Sequence, residues 1–406
     1  MRKKMCLSYL IIHNMKSKVI ILLAVLILSA YSCSPKGDGS VTTVDVGDSK
    51  MVVFSLNQLK SNTTSIPLSS LVENCELVQL ETKEEAFFNP WFTTITDKYI
   101  GVCSEGKPFK LFSRSGKFLC HIGSVGQGPG EYFSIYDAII DEQNELVYLS
   151  FVSSDKIFVY STSGRFVKDF VAPHRLNKTK IFLSEGILTA IHMPFQNNRT
   201  IALQFDVKTG EVLKELAPSP HFFIKNFDRD IINTRNSTAI LDFAFMENDT
   251  LYHYDMKNNR ILPAFKMTYN SSEKPWMVYF QINKDLFLTN VSLLGIDPNF
   301  GGKKYIPKGL VATDLKNKTS SFINIVNDYF GNLPVKVSYF TFFHGYYVNN
   351  IEHEEFRQNI EEHLAKSGRI DNEKETLKKL LSTLKENENN IVFIGKLKSE
   401  VTTKLF

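Results

Sequence analysis

At 406 residues the chain has room for two or three average domains or one large all-β domain, and 43% hydrophobic with 22% charged residues excludes a disordered polymer. Its 47 basic and 43 acidic residues leave a net charge of +4. With no basic stripe beyond the N-terminus, that balance excludes the electrostatic footprint of a nucleic-acid binder, so no nucleic-acid partner is expected.

Arg2, Lys3, Lys4, Lys16 and Lys18 precede the uncharged run VIILLAVLILSA, Val19 to Ala30. This is a positive region followed by an apolar one, too short for a membrane span of about 20 residues, and it reads as an export signal with Met15 as a second start. In the following AYSCS, Cys33 occupies the place where a bacterial lipoprotein signal puts its acylated cysteine. Ser32 suits the small position before it, while Ala30 and Tyr31 depart from the usual Leu-Ala or Leu-Ser. Residues 1–33 are therefore expected to be signal and lipobox, with ordinary secretion and an incidental Cys33 as the alternative. Residues 34–50, polar and glycine-bearing, read as a flexible tether, and 51–406 as the folded body. The expected membrane partner is reached through the lipid. Beyond Cys6 and Cys33 the cysteines are Cys75, Cys103 and Cys120. Their odd number and irregular spacing give no disulfide framework or zinc pair, and all three read as small core residues.

Five segments repeat one pattern: KLFSRSGKFLCHIG from Lys110, KIFVYSTSGRFVKDF from Lys156, ALQFDVKTGEVLKEL from Ala202, LYHYDMKNNRILPAF from Leu251 and LVATDLKNKTSSFIN from Leu310. Each is a strand, a polar turn and a second alternating strand. Gly116, Gly164, Gly210 and the pair Asn258 and Asn259 supply turn residues that tolerate positive φ. Their period in the forties is that of a four-stranded propeller blade. A further hairpin precedes each copy, so each blade is two successive hairpins, at roughly 91–122, 134–172, 178–217, 237–269, 275–326 and from about 336.

In the last blade, residues from about 351 to 390 change period. Phe356, Ile360 and Leu364, then Leu377, Leu380, Leu381 and Leu384, follow helical spacing, with Asp371 and Asn372 as N-cap candidates and Gly368 as a break. A helical hairpin inserted in the final blade is expected. NIVFIGKLK after it reads as a strand, and the early strands MVVFSL and CELVQLET are its expected partners, closing the ring so that no sheet edge is left open.

The cluster GSVGQGPGEY, Gly123 to Tyr132, fits neither phosphate motif. Whichever glycines start a G-x-G-x-x-G register, the third falls on Glu131 or Phe133, and no Lys-Ser/Thr follows for a Walker loop. It reads as a structural crossing between blades: Gly126, Gly128 and Gly130 turn the chain, Pro129 fixes one φ, Glu131 accepts loop N–H groups and Tyr132 packs beneath.

GKFLCHIGSVGQGPGEY, DAIIDEQNELVYL and KIFVYSTSGRFVKDF together resemble the six-bladed β-propeller lipoproteins of gut-dwelling Gram-negative anaerobes, a domain of unknown function, and are more loosely similar to NHL-type repeats. IPLSSLVENCELVQLET and NNIVFIGKLK match that family's two ends, so the resemblance spans about Ile66 to Lys398. It implies an all-β six-bladed propeller in the cell envelope, lipid-anchored at the outer membrane and facing the periplasm or the surface. It carries the fold and no activity.

No catalytic, cofactor-binding or metal residues emerge. His192, His221, His253 and His344 are scattered near strands, His353 and His363 lie ten apart on the helical segment, and there is no HExxH or G-x-S-x-G. Adjacent carboxylates such as those in KEEA and HEEF read as solvated faces. The expected function is a non-enzymatic envelope lipoprotein whose propeller binds a glycan, peptide or partner protein. The alternatives are a propeller-fold saccharide hydrolase or lyase, and a sensory or scaffold component of an envelope complex. Carboxylates and aromatics gathered at one channel mouth would favour the hydrolase or lyase. HMPFQNNRT and GIDPNFGGKKYIPKG are the expected ligand-facing loops.

Overall fold

The computed structural model describes residues 37–400 apart from 196–197, 238–239, 247–248, 298–300, 366–370 and 385–387; the export signal, Cys33 and Gly368 lie outside the described residues. Four strands precede the blades: β1 (Val41–Val46), β2 (Ser49–Ser55), β3 (Thr63–Pro67) and β4 (Glu76–Gln79). Blade one is β5 (Phe92–Ile95), β6 (Tyr99–Cys103), β7 (Phe109–Ser113) and β8 (Phe118–Ile122). A short parallel pair, β9 (Ser124–Val125) and β10 (Glu131–Tyr132), leads into blade two, β11 (Ile135–Asp141), β12 (Leu146–Phe151), β13 (Ser153–Ser161) and β14 (Phe166–Asn177). Blade three is β15 (Lys180–Ser184), β16 (Ile187–Ile191), β17 (Ala202–Asp206) and β18 (Val212–Leu216). Blade four is β19 (Ile231–Ile232), β20 (Leu241–Phe245), β21 (Thr250–Asp255) and β22 (Arg260–Thr268). Blade five is β23 (Trp276–Gln281), β24 (Leu286–Ile296), β25 (Lys303–Asp314) and β26 (Thr319–Asn327), with β27 (Leu333–Val335) at its edge. Blade six is β28 (Phe342–Phe343), β29 (Tyr346–Ile351) and β30 (Ile391–Lys396), completed by β4.

The five repeated segments are the third and fourth strands of blades one to five. Their turns work as the residue types require: Gly116, Gly164, Gly210 and Asn259 all have positive φ, at 88°, 86°, 79° and 51°, and Lys318 fills the position in the fifth copy with φ 52°. Where the turn lacks glycine, the aspartate ending the third strand holds it. Asp255 and Asp314 accept the backbone N–H of Asn258 and Asn317 at 3.1 and 3.0 Å. Strands such as β20 are buried throughout because each blade is covered on both faces by its neighbours, so the apolar pattern runs nearly continuous.

The ring closes between chain ends. Glu76–Gln79 pairs antiparallel with Ile391–Ile394, bringing CELVQLET against the C-terminal strand. MVVFSL goes elsewhere: β2 pairs in parallel with β22 of blade four, Val52 opposite Phe265, where the Phe54 ring stacks on Phe265 at 5.5 Å. β3 likewise adds in parallel to β26 of blade five. The N-terminal segment thus covers two outer edges that would otherwise offer unpaired backbone. Within the stretch read as a tether, Val41–Val46 is ordered as β1 against β2, because Val41 is buried beneath this clasp. Blade four also begins at Ile231 rather than 237, its inner strand being only two residues long.

The helical hairpin lies between β29 and β30: α1 (His353–Ala365) and α2 (Asp371–Thr383). Phe356, Ile360 and Leu377 are buried against blades five and six, Phe356 meeting Phe393 edge-on at 5.2 Å. The apolar stripe is spent on the propeller, and among the described residues of the hairpin no large hydrophobic side chain is exposed.

The repeated turns are not equally constrained. A Cβ on Gly164 would meet the His121 carbonyl oxygen of the preceding blade at 2.5 Å, whereas one on Gly210 would have nothing within 4 Å. Gly210→Ala should cost about 1 kcal/mol, from its positive φ alone. Gly164→Ala should cost more, because backbone must also shift. Denaturant unfolding of the two variants measures the difference, and equal losses would contradict the close approach of the blades.

Candidate functional site

The first strand of every blade lines the axis, and the starts of these strands meet at one mouth. Trp91 precedes β5, Tyr136 opens β11, Lys178 and Lys180 flank the entry to β15, Asp230 precedes β19, and Phe340 precedes β28. Together they wall two cavities of about 430 and 110 Å³ that share Trp91, Tyr136 and Asp230. Trp91 meets Tyr136 edge-on at 5.8 Å and Phe340 at 6.4 Å, and Phe340 meets Phe343 deeper down at 5.4 Å. Phe227 adds an exposed ring to the rim.

The floor of this bowl is polar. Lys180 is 4% exposed, with its Nζ 4.6 Å from the centre of the Tyr136 ring and 5.6 Å from that of Phe340. Burial pushes its pKa down and the nearby Asp137 carboxylate opposes this. Both side-chain atoms of Asn233, at 3% exposure, lack partners among the described residues. Tyr136 donates to Asp230 at 3.0 Å and accepts from the Ile231 N–H at 3.1 Å; burial, then Asp230, raises its pKa.

Below the floor, Asn233 to Asn236 form a polar hub on the axis. Arg235 reaches Asp137 of blade two at 2.9 Å, also donates to the carbonyls of Ala138 and Ile181, and lies with its guanidinium 5.2 Å from the Phe343 ring. Asp242 holds the segment by accepting from the N–H groups of Thr234 and Arg235 at 2.9 and 3.0 Å. Asn236 donates to the Gln281 and Phe342 carbonyls, and His344 of blade six bonds Thr94 of the neighbouring blade one. Burial, then Arg235 and Lys180, keeps the His344 pKa well below its ordinary value. Lys178, Arg235 and His344 all adopt positive φ, strain of about 1–3 kcal/mol per residue that the surrounding contacts sustain.

GQGPGEY connects β8 to β11, away from the floor. The Gly128 N–H donates to Glu131 Oε2 at 2.8 Å, the Gly126 N–H to the Tyr132 carbonyl at 3.1 Å, and Ser124 Oγ to Glu131 Oε1 at 3.2 Å. The buried Tyr132 hydroxyl donates to the Ile122 carbonyl and accepts from the Phe109 N–H at 3.0 Å. Positive φ falls on Gly123 and Gly130, not on Gly126 or Gly128. A Cβ on either would crowd the Glu131 carboxylate, which would have to shift. Pro129 sits between Gly128 and Gly130, with its carbonyl side turning into the strand pair β9 and β10.

Of the other sequence candidates, Cys103 is buried in a hydrophobic cluster, while Cys75 and Cys120 are half-buried and packed against such clusters. Among the described residues of HMPFQNNRT and GIDPNFGGKKYIPKG none lines the two cavities: His192 and Met193 are fully buried, Phe195 stacks on the rim residue Phe227 at 5.1 Å, and the second string belongs to the tip of the β24–β25 hairpin. Among the described residues, no group of three or more His, Cys, Asp or Glu is placed to hold a metal ion. Trp91, Tyr136 and Lys180 precede or open inner strands and Arg235 follows one, positions where the hairpin repeat carries no signal. The run NTRNS, polar where a strand start was due, was the available sign of the hub.

Six four-stranded blades around a central channel define a six-bladed β-propeller. The chain belongs to the family described as Domain of unknown function (DUF4934), whose model matches residues 51–396. No curated protein matches it. Among solved structures it is similar to a candidate exported protein from Bacteroides fragilis, with 14% identity, TM-score 0.55, and coverage of 83% of this chain and 100% of that one. It is also similar to a DUF4221 family member from Bacteroides vulgatus, at 12% identity, TM-score 0.45, and coverage of 81% and 98%. Such likeness shows the fold alone.

Arg235→Ala would strip the buried Asp137 of its cation and leave two carbonyls without a donor. A loss of about 3–5 kcal/mol is expected, read as a lower denaturant midpoint; a loss under about 1 kcal/mol would mean the hub is not what ties the blades.

Proposed function

We propose that this protein is an exported, non-enzymatic binding module of the cell envelope, anchored by a lipid on Cys33, which takes a glycan or peptide ligand at the channel mouth. The observation that carries it is the aromatic bowl closed below by Asn233, whose amide has no partner among the described residues, and by the Lys180 ammonium, held only against the Tyr136 and Phe340 rings. Ligand sites are concave and largely apolar with a few placed polar groups, and this mouth has that composition. The export signal in the sequence and the candidate exported neighbour support the location.

A second reading, a saccharide hydrolase or lyase, is favoured by carboxylates gathered at the same mouth: Glu105, Asp228 and Asp230. Against it, Asp230 is tied to Tyr136 and to Lys178 at 3.0 Å each. Glu105 and Asp228 are exposed, outside the dry environment that prepares a general acid.

A glycan and peptide array probed with the protein is expected to give hits that Trp91→Ala loses while its melting temperature holds within a few degrees. Hits that survive Trp91→Ala would place binding elsewhere, and release of new reducing ends from a bound glycan would favour the hydrolase or lyase. Cys33→Ala should move the protein from the membrane to the soluble fraction; unchanged fractionation would remove the lipid from the account.

A further inference from the structure

The Lys180 ammonium is the unusual group of the mouth. A lysine this buried is almost always paired, yet its Nζ has no hydrogen-bond or ion-pair partner among the described residues. Of the two carboxylates that act on it, Asp137 is committed through both oxygens, one to Arg235 at 2.9 Å and the other to the Ile181 N–H at 2.9 Å. Asp230 holds Tyr136 and Lys178 through Oδ1 and lines the same inner cavity. Two rings cover the ammonium, and cation–π contact compensates only part of the lost hydration.

Beside it in the inner cavity stands Asn233, whose amide is also unpartnered. A cation with three free donors and an amide with two form a receptor for an anionic oxygen-bearing group. Above them, Trp91, Tyr136 and Phe340 offer ring faces to a ligand's apolar side. The outer rim turns from donors to acceptors: Glu105, Asp228 and the Ser104 hydroxyl, itself without a partner. Acceptors suit the hydroxyl donors of a sugar and repel further negative charge.

We propose that the mouth recognises an acidic saccharide, a terminal sugar bearing one carboxylate or sulfate that seats on Lys180 and Asn233, with neutral sugars following it between the aromatic rings and the acidic rim. This rests on the binding-module reading and adds the ligand's class, its charge and its polarity along the chain. A polyanionic glycan would bring its second charge against Glu105 and Asp228 and is disfavoured.

The test is an array on which uronate-terminated and sulfate-terminated oligosaccharides are printed beside their carboxyl-reduced and desulfated parents, with free-carboxylate peptides as a third arm, followed by calorimetry on each hit. The full chain is expected to bind one acidic class about tenfold to a hundredfold more tightly than its neutral parent. Lys180→Met should abolish that preference, while Lys180→Arg keeps part of it. Asn233→Leu should reduce the preference in the same direction, and serves should Lys180→Met fail to fold. Trp91→Ala should weaken acidic and neutral forms alike. Equal affinity for acidic and neutral forms, an acidic preference that survives Lys180→Met, or tighter binding of peptide carboxylates would overturn the proposal. If Trp91→Ala still removes the binding in those cases, the mouth remains a ligand site with another occupant; if it does not, the binding-module reading of the mouth fails with it.

Discussion

A ring of sheets is only as stable as its seam, and here the seam is four residues long. Glu76–Gln79 completes blade six against Ile391–Ile394, so the two ends of the folded body are hydrogen-bonded partners. Until that pairing forms, blade six has three strands and two ends of the propeller are open edges. The rest of the N-terminal segment extends the same logic outward, β2 sealing blade four and β3 sealing blade five. Those additions are parallel, a pairing that needs a long connection rather than a tight hairpin.

A second constraint operates at the axis. Each blade's first strand has one edge that no other strand can reach, so its carbonyls face the centre without sheet partners. Arg235 and Asn236 supply donors to the carbonyls of Ala138, Ile181, Gln281 and Phe342, which belong to the first strands of four other blades. One short segment of blade four therefore satisfies much of the ring from within. The polar character of the hub follows from that need, as does the positive φ of Arg235, which turns its side chain across the axis.

The mouth is a by-product of the same geometry put to use. Because the inner strands all start at one end, whatever residue precedes each strand is delivered there. Separate stretches from five of the six blades contribute side chains, and none of them is a motif by itself. Fold and ligand are thus separable: the blades need only the repeated hairpins and the seam, while recognition depends on residues such as Trp91, Lys180 and Asn233 that the blades would tolerate as something else.

What the amino-acid sequence determined by itself was local and periodic. Turn residues at 116, 164, 210 and 259 specify positive φ, alternation on either side specifies strands, and helical spacing from Phe356 specifies the inserted hairpin; each needs only a few neighbouring residues to read. The seam partner CELVQLET was also legible, since a ring demands closure. Tertiary structure alone decided the rest, because it depends on which distant segments meet. MVVFSL reads equally well as a partner for any open edge, and only the fit of Phe54 on Phe265 selects blade four. NTRNS reads as a gap between blades, and only its position on the axis makes it the hub. Gly128 reads as a residue of special backbone, and only the Glu131 carboxylate folded back beneath it shows what a side chain there would crowd instead. A lysine at 180 is unremarkable in a list of residues; its burial without a counter-ion exists only once six blades have closed around it.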